Sequence, residues 1–171
     1  MKYKIALLVL CTQAFASISS ITSFEAGFTQ TITDDKNKEL HYKGHLIASK
    51  PQNARWTYTT PINKIIYINR YQATVVEPEI EQVIKRNIGS SFDFFEIINN
   101  AKKIDKNSYL AKYNDTSFTL EVKNDTLVSI SYLDQFENSV KIVFEGQRQN
   151  QKIDRNIFTP VYPLDFDIIE D

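Results

Sequence analysis

The chain has 171 residues, of which 42% are hydrophobic and 24% charged, as expected for a single globular domain with one apolar core. Its 20 lysines and arginines nearly balance its 21 aspartates and glutamates, which excludes the basic footprint typical of nucleic-acid binding. The four glycines argue against a glycine-rich phosphate loop.

Residues 1–16 have the pattern of an export signal. Two lysines precede a short apolar run, Ile5 to Cys11, and Ala14-Phe15-Ala16 fits the small-x-small cleavage pattern. The apolar run is far shorter than the roughly 20 residues that a membrane-spanning helix needs. We therefore predict cleavage after Ala16, a mature domain over residues 17–171, and a periplasmic location.

The mature chain begins with strands. Residues 24–33 alternate between apolar and polar side chains, with Phe24, Ala26, Phe28, Gln30 and Ile32 on one face. The alternation resumes after a polar turn at 34–38. Further strands are predicted over residues 40–49, 54–59, 64–69 and 73–76.

The middle of the chain changes to helical signals. Pro78 is suited to open a short helix over Glu79 to Arg86. A second helix is predicted in "SFDFFEIINNAKKI", with Ser90 or Ser91 as the N-cap and Asp93 as the partner in a capping box. Its apolar stripe at helical spacing consists of Phe94, Phe95, Ile97, Ile98 and Ala101, with Phe92 at its start.

Strands return after residue 107, over residues 118–122, 127–133 and 140–144, and the acidic end "DFDIIED" is predicted to fray. The architecture is one antiparallel sheet of about eight to eleven strands, which is large enough to curl. The phenylalanine-rich helix is the natural cover of its apolar inner face, which predicts a partly closed barrel with a helical lid. The alternative is a filled core in which the same side chains simply pack.

Catalytic and metal-binding motifs are missing from the sequence. It contains no G-x-S-x-G, no H-E-x-x-H, and no cysteine after residue 16. His41 and His45 would lie about 13 Å apart on a strand, too far to share one metal ion. We predict that the chain is not an enzyme and uses no metal or other cofactor.

Three stretches in order resemble a known family: "SFEAGFTQTI", "GHLIASKPQNARWTYTTP" and "EPEIEQV". They are similar to the periplasmic outer-membrane lipoprotein carriers of the LolA family. The matching positions are Phe24, Ala26, Phe28 and Gln30 in the first stretch, Gly44, Lys50, Pro51, Trp56 and Pro61 in the second, Glu77, Pro78, Glu81 and Gln82 in the third, and a late Phe158, Thr159 and Pro160.

The resemblance implies an unclosed β-barrel, or half-barrel, covered by a helical lid, and a monomeric chaperone that shelters lipoprotein acyl chains. It implies loading by an inner-membrane lipoprotein-releasing ABC transporter and delivery to an outer-membrane acceptor or receptor. Lys50 stands where the family has the arginine that closes the lid. The implied acyl-chain cavity is lined by Phe24, Phe28, Leu46, Trp56, Tyr58, Ile66 and Ile68, and the implied lid residues are Phe92, Phe94, Phe95, Ile97 and Ile98.

The sequence departs from the family pattern at three places. Lys50 replaces the arginine, Ala54 replaces an aromatic residue, and Asn69 with Arg70 replaces an Asp-Gly turn. Two other functions are compatible with the same fold. One is a periplasmic regulator module that senses lipid or lipoprotein. The other is an outer-membrane receptor, which would need a lipid-accepting cysteine, and Leu10 before Cys11 is a poor match to that signal.

Overall fold

The computed structural model describes residues 18–87 and 93–170, so the predicted signal peptide, Ser90, Ser91 and Phe92 lie outside the described residues. The described strands are β1 (Ser23–Thr33), β2 (Glu39–Ser49), β3 (Asn53–Thr60), β4 (Lys64–Asn69), β5 (Gln72–Glu77), β6 (Gln82–Asn87), β7 (Lys102–Lys103), β8 (Ser108–Tyr113), β9 (Thr116–Lys123), β10 (Thr126–Leu133), β11 (Ser139–Gln149) and β12 (Asp167–Glu170). The α-helix of the described part, α1, spans Phe94–Asn99.

All these strands form one sheet in the order β12-β6-β5-β4-β3-β2-β1-β11-β10-β9-β8-β7. Neighbouring strands are antiparallel except β12, which runs parallel to β6. The edge strands β12 and β7 are not hydrogen-bonded to each other within the described ranges, so the sheet is not closed. The prediction of a mainly β, unclosed sheet is confirmed, although the described part alone has 12 strands rather than eight to eleven.

The sheet curls around one large apolar core. Ile68 on β4 and Ala111 on β8 belong to the same core cluster, although the strands that carry them are far apart in the sheet order. The same cluster contains the apolar residues predicted on one face of β1, Phe24, Ala26 and Phe28. Alternation along each strand therefore supplies a concave apolar face, and the curl turns that face into the interior.

The α1 helix is shorter than the predicted one and begins differently. Asp93 is itself the N-cap, because its Oδ1 accepts hydrogen bonds from the backbone N–H groups of Phe95 at 2.9 Å and Glu96 at 3.1 Å. An aspartate in this position satisfies two of the first free N–H groups of a helix and suits its positive end. The predicted capping box with Asp93 as the third-residue partner is therefore wrong.

The predicted helix over Glu79 to Arg86 is also wrong. A single turn of 3-10 helix, Pro78–Ile80, is followed by Glu81 in the left-handed conformation at φ 52°, which ends the helix. The chain then forms β6, in which Val83 is fully buried opposite Val76 of β5. The proline signal was correct for the first turn only, because burying Val83 against the neighbouring strand outweighs the local helix preference.

Most of the acidic C-terminal segment forms the strand β12 (Asp167–Glu170), contrary to the predicted fraying. A short 3-10 helix, Arg155–Phe158, buries Phe158, and β12 then pairs with β6. An ion pair between Lys85 Nζ and Glu170 Oε1, 2.9 Å apart, lies on this edge. A second, smaller apolar cluster stands on the outer face of β4 to β6 and contains Tyr67, Val76 and Val83 with Ile65, Tyr162 and Phe166. None of the described helices is long and apolar enough to cross a membrane.

Candidate functional site

The seven residues predicted to line a cavity all lie on the concave face of the sheet. The strand register places Phe24 beside Ala48, Ala26 beside Leu46, and Phe28 beside Gly44 on β1 and β2. Across β2, β3 and β4 the same rows continue through Trp56 to Ile66 and through Ala54 to Ile68. Five of the predicted residues are buried in the large core, Phe24, Phe28, Leu46, Trp56 and Ile68, and the half-buried Tyr58 and Ile66 pack against it.

Aromatic rings form the centre of this face. The Phe28 ring lies 5.2 Å from the Trp56 ring and 5.1 Å from the Tyr58 ring, and both contacts are edge-to-face. Gly44, on the strand between them, leaves the space that the Phe28 ring fills, since a Cβ there would come within 2.7 Å of that ring. The glycine of the family motif is therefore explained by packing: only hydrogen fits beneath the phenyl ring.

One polar pair interrupts the apolar surface. The hydroxyl of Tyr58 donates a hydrogen bond of 3.0 Å to Oε1 of Gln30, which is itself buried. Burial raises the pKa of Tyr58 well above its ordinary value of 10.0, and the neighbouring phenols of Tyr132 and Tyr42 raise it further. Tyr58 therefore remains a neutral donor at any physiological pH.

The α1 helix covers one end of the concave face. The four predicted lid residues within the described ranges, Phe94, Phe95, Ile97 and Ile98, are all buried. The Phe94 ring lies 5.3 Å from the Phe24 ring of β1. A pocket of about 10 Å³ remains between α1 and β3 and β4, beside Ala54 and Ile68. This volume holds about one water molecule, so the helix packs closely against the strands there.

Lys50 links α1 to the N-terminal end of the described chain. Its Nζ donates to the carbonyl oxygen of Ser19 at 3.3 Å and to Oδ1 of Asn99 at 3.4 Å. The same ammonium group lies 5.9 Å from the centre of the Phe95 ring, within the range of a cation–π contact. One side chain at the end of β2 therefore touches both the 3-10 helix Ile18–Ser20 and α1.

Two further parts of the interior were not identified from the sequence. Phe144 of β11 lies 4.9 Å from Phe24, and Tyr113 of β8 is buried beside the helix. The strand β8 alternates buried and exposed residues from Leu110 to Tyr113, and this period-2 signal could have predicted it.

His41 and His45 have separate partners on the sheet surface. The Nδ1 of His41 lies 3.2 Å from the Thr31 hydroxyl, and its Nε2 lies 3.3 Å from a Glu39 oxygen. His45 lies 3.5 Å from Glu25. These side chains are substantially exposed, and within the described ranges no group of three or more potential metal ligands occurs.

A curled, unclosed sheet with an apolar concave face and a short helix over one end defines the class of half-barrel proteins that enclose apolar groups. The chain belongs to the outer membrane lipoprotein carrier protein LolA family, whose family profile matches residues 19–161. The resemblance drawn from the sequence motifs is thereby confirmed.

Relatives support the same assignment. The outer-membrane lipoprotein carrier protein of Campylobacter jejuni is 41% identical over 157 residues, covering 92% of each chain. That of Helicobacter hepaticus is 27% identical over 170 residues, covering 99% of this chain and 95% of the relative. The crystal structure of an uncharacterized conserved protein from Thermus thermophilus matches with a TM-score of 0.56 at 8% identity, covering 90% of this chain and 93% of that one. This last likeness shows the fold alone.

Proposed function

We propose that this chain carries lipoproteins across the periplasm by enclosing their acyl chains on the concave face of the sheet, beneath α1. The observation that carries the proposal is a large apolar concave face, buried in the closed state, against which one short helix packs. In the order of the sheet, the face extends from β4 through β3, β2, β1, β11, β10 and β9 to β8. The helix that packs over it has only six residues. The carrier names of the relatives support the same function. In this proposal the chain is a chaperone, not an enzyme, and it needs no cofactor.

The energetics favour exchange of the helix for cargo. Exposing the four buried side chains of α1 costs about 6–12 kcal/mol, at about 1.5–3 kcal/mol each. Burying one acyl chain of roughly 16 carbons returns about 12 kcal/mol, at about 0.8 kcal/mol per methylene. A lipoprotein with two or three such chains can therefore displace the helix, and the same term explains why it cannot cross water alone.

In this proposal the opened cavity is lined by residues 24, 28, 46, 56, 58, 66 and 68. The lid consists of Phe92, Phe94, Phe95, Ile97 and Ile98. Lys50 is proposed as the group that closes the lid. Its contact with Asn99 supports this role, because that contact would break when α1 leaves the face, whereas the contact with Ser19 lies outside α1 and can remain. The closed and loaded states then differ by the position of α1.

Export and partners complete the proposal. Residues 1–16 would direct the chain to the periplasm and be removed there. An inner-membrane lipoprotein-releasing ABC transporter would load the carrier, and an outer-membrane acceptor or receptor would take its cargo. We propose that the carrier works as a monomer, since a single chain has both the concave face and its cover.

The test begins with the full-length protein expressed with its own N-terminus and purified from the periplasm. Mass analysis of the intact material should show a chain beginning at Ser17 together with bound lipoprotein. A chain that begins at a diacylated Cys11 would contradict the soluble carrier and support the receptor alternative.

A transfer assay then tests the function directly. The purified chain is mixed with a diacylated lipopeptide and vesicles, and lipopeptide that remains in solution is measured after the vesicles are removed. The protein should keep the diacylated peptide soluble and leave the unacylated peptide unaffected. If the protein does not raise the soluble fraction of the diacylated peptide, acyl chains are not what the protein binds.

A further inference from the structure

Tyr113 is a polar residue buried in the interior of the closed structure. It is the last residue of β8, its side chain is 6% exposed, and it belongs to the same apolar cluster as Phe94 and Phe95 of α1. Within the described ranges its hydroxyl is buried and makes no hydrogen bond. A buried hydroxyl of this kind destabilises the protein when no cargo is bound, because it has lost its hydrogen bonds to water without gaining an acceptor.

The groups around this hydroxyl restrict what could bind to it. Burial raises the pKa of Tyr113 above its ordinary value of 10.0, and the carboxylates of Glu96 and Asp93 raise it further. The phenol is therefore neutral and available as a donor. The two carboxylates belong to the N-cap and first turn of α1 and would repel an anionic group placed at the same point.

A lipoprotein brings the complementary group. Every acyl chain begins at a carbonyl, and burying the chain to its head removes that oxygen from water without supplying a donor. We propose that the Tyr113 hydroxyl donates a hydrogen bond to the neutral ester or amide carbonyl at the head of a bound acyl chain. This inference rests on the proposed carrier function and adds a polar anchor to a site whose lining is mostly apolar.

The anchor would distinguish lipids by their head chemistry. An ester or amide carbonyl accepts a hydrogen bond and carries no charge. The carboxylate of a free fatty acid, or the phosphate of a phospholipid drawn into the same position, would meet the negative charges of Glu96 and Asp93. Lipoprotein acyl groups would therefore be favoured over free fatty acids, which have equally long apolar chains.

The test uses Tyr113→Phe, which removes one oxygen atom, and two matched probes. One probe is a lipopeptide with a diacylglyceryl cysteine, and the other is its dialkyl ether analogue, in which a methylene replaces each ester carbonyl. A single neutral hydrogen bond gives a preference of about fivefold. The affinity for the ester lipopeptide divided by the affinity for the ether lipopeptide should therefore be about fivefold larger in the wild-type protein than in Tyr113→Phe. Tyr132→Phe, which removes a hydroxyl from β10 of the same face, should keep the wild-type ratio.

The outcomes separate this inference from the function on which it rests. Failure of the wild-type protein to bind either lipopeptide would refute the carrier function and the anchor together. Binding of both with the same ester-to-ether ratio in wild type and Tyr113→Phe would refute the anchor alone. The empty variant should unfold at the same temperature as the wild type or higher, whereas a clear loss of stability would mean that the hydroxyl already has a partner in the closed protein. Palmitate should compete less well than its methyl ester, and equal competition would count against the anchor.

Discussion

The Nζ of Lys50, which follows β2, lies 3.4 Å from Oδ1 of Asn99, the last residue of α1. Together with the 3.3 Å bond to the Ser19 carbonyl, this contact connects the helix to two other parts of the chain. Both distances exceed the roughly 2.7–3.2 Å typical of strong N–H···O bonds, which indicates a weak attachment. An arginine at this position would offer five donors in a rigid fork instead of one flexible ammonium group.

The strength of this attachment should set how the lid behaves. Lys50→Arg should hold α1 more firmly, slow hydrogen exchange of its amides, and speed handover of a lipopeptide to acceptor vesicles, because closure helps to expel cargo. Lys50→Leu should load cargo but release it poorly. The control is Lys64→Leu, which removes an ammonium group 5.1 Å from the Tyr58 ring, away from α1. Equal transfer rates for lysine, arginine and leucine at position 50 would show that this residue does not gate the lid.

The N-cap of α1 should be a second control point of the lid. Asp93→Ala removes the acceptor for the amides of Phe95 and Glu96 and should destabilise the helix by about 1 kcal/mol. Hydrogen exchange at α1 should become faster by about fivefold, while exchange in β1 stays unchanged. Asp154→Ala, which removes the corresponding cap of the 3-10 helix Arg155–Phe158, should leave α1 unaffected. Unchanged exchange at α1 in Asp93→Ala would mean that the cap does not limit opening.

Gly44 should be intolerant of any side chain. A methyl group there would collide with the Thr57 carbonyl oxygen and approach the Phe28 ring to 2.7 Å. Gly44→Ala should therefore lower the free energy of unfolding by about 1–3 kcal/mol, measured by urea denaturation. Gly27→Ala is the matched control on the adjacent strand, because its nearest contact would be an ordinary 3.6 Å. Similar losses in both variants would assign the effect to glycine as such and not to the space beneath Phe28.

Trp56 should report on the arrival of cargo. It is 5% exposed, and its ring packs on Phe28 in the proposed lining. Acyl chains that enter between α1 and the strands would change the surroundings of the indole, so its fluorescence spectrum should shift on titration with a diacylated lipopeptide. The unacylated peptide should cause no shift. An unchanged spectrum at saturating lipopeptide would exclude Trp56 from the lining.

The turn between β10 and β11 should be sensitive to acid. Burial would raise the pKa of Asp134, but hydrogen bonds from the Asn138 side chain and from the backbone of Asn138 and Phe136 together hold the pKa below its ordinary value of 3.8. The contribution of the carboxylate to stability is therefore complete above pH 3.8 and is lost as the pH falls through its folded pKa. The stability difference between wild type and Asp134→Asn, measured by urea denaturation, should shrink over that range. A difference that is constant with pH would contradict the assigned hydrogen bonds.

Alternation along β1 was enough to predict the composition of the concave face. Side chains point to opposite faces at every second residue, so the assignment of Phe24, Ala26 and Phe28 to one face needs no knowledge of the neighbouring strands. The same reasoning applied to Leu46 and Trp56, which belong to the same core in the structure. The ordered family motifs then indicated the carrier fold, and both fold and family are confirmed.

Local signals were misleading where distant pairing governs the structure. Pro78 and the charged residues after it favour a helix, yet β6 forms because Val83 is buried against β5 and the outer cluster with Tyr162 and Phe166. The acidic C-terminus has the composition of a frayed end, but its backbone pairs with β6 and Glu170 pairs with Lys85.

Strand alternation is a property of neighbouring residues, so the order of the amino acids was sufficient to show which side chains face the interior. What those side chains meet depends on the folded sheet. Lys50 reaches Asn99 and Ser19 across 49 and 31 positions of sequence, and Tyr113 is brought beneath a helix that precedes it in the chain. Such contacts depend on how far the sheet curls and on where one short helix settles on it, and both follow from the packing of the whole sheet rather than from any local pattern.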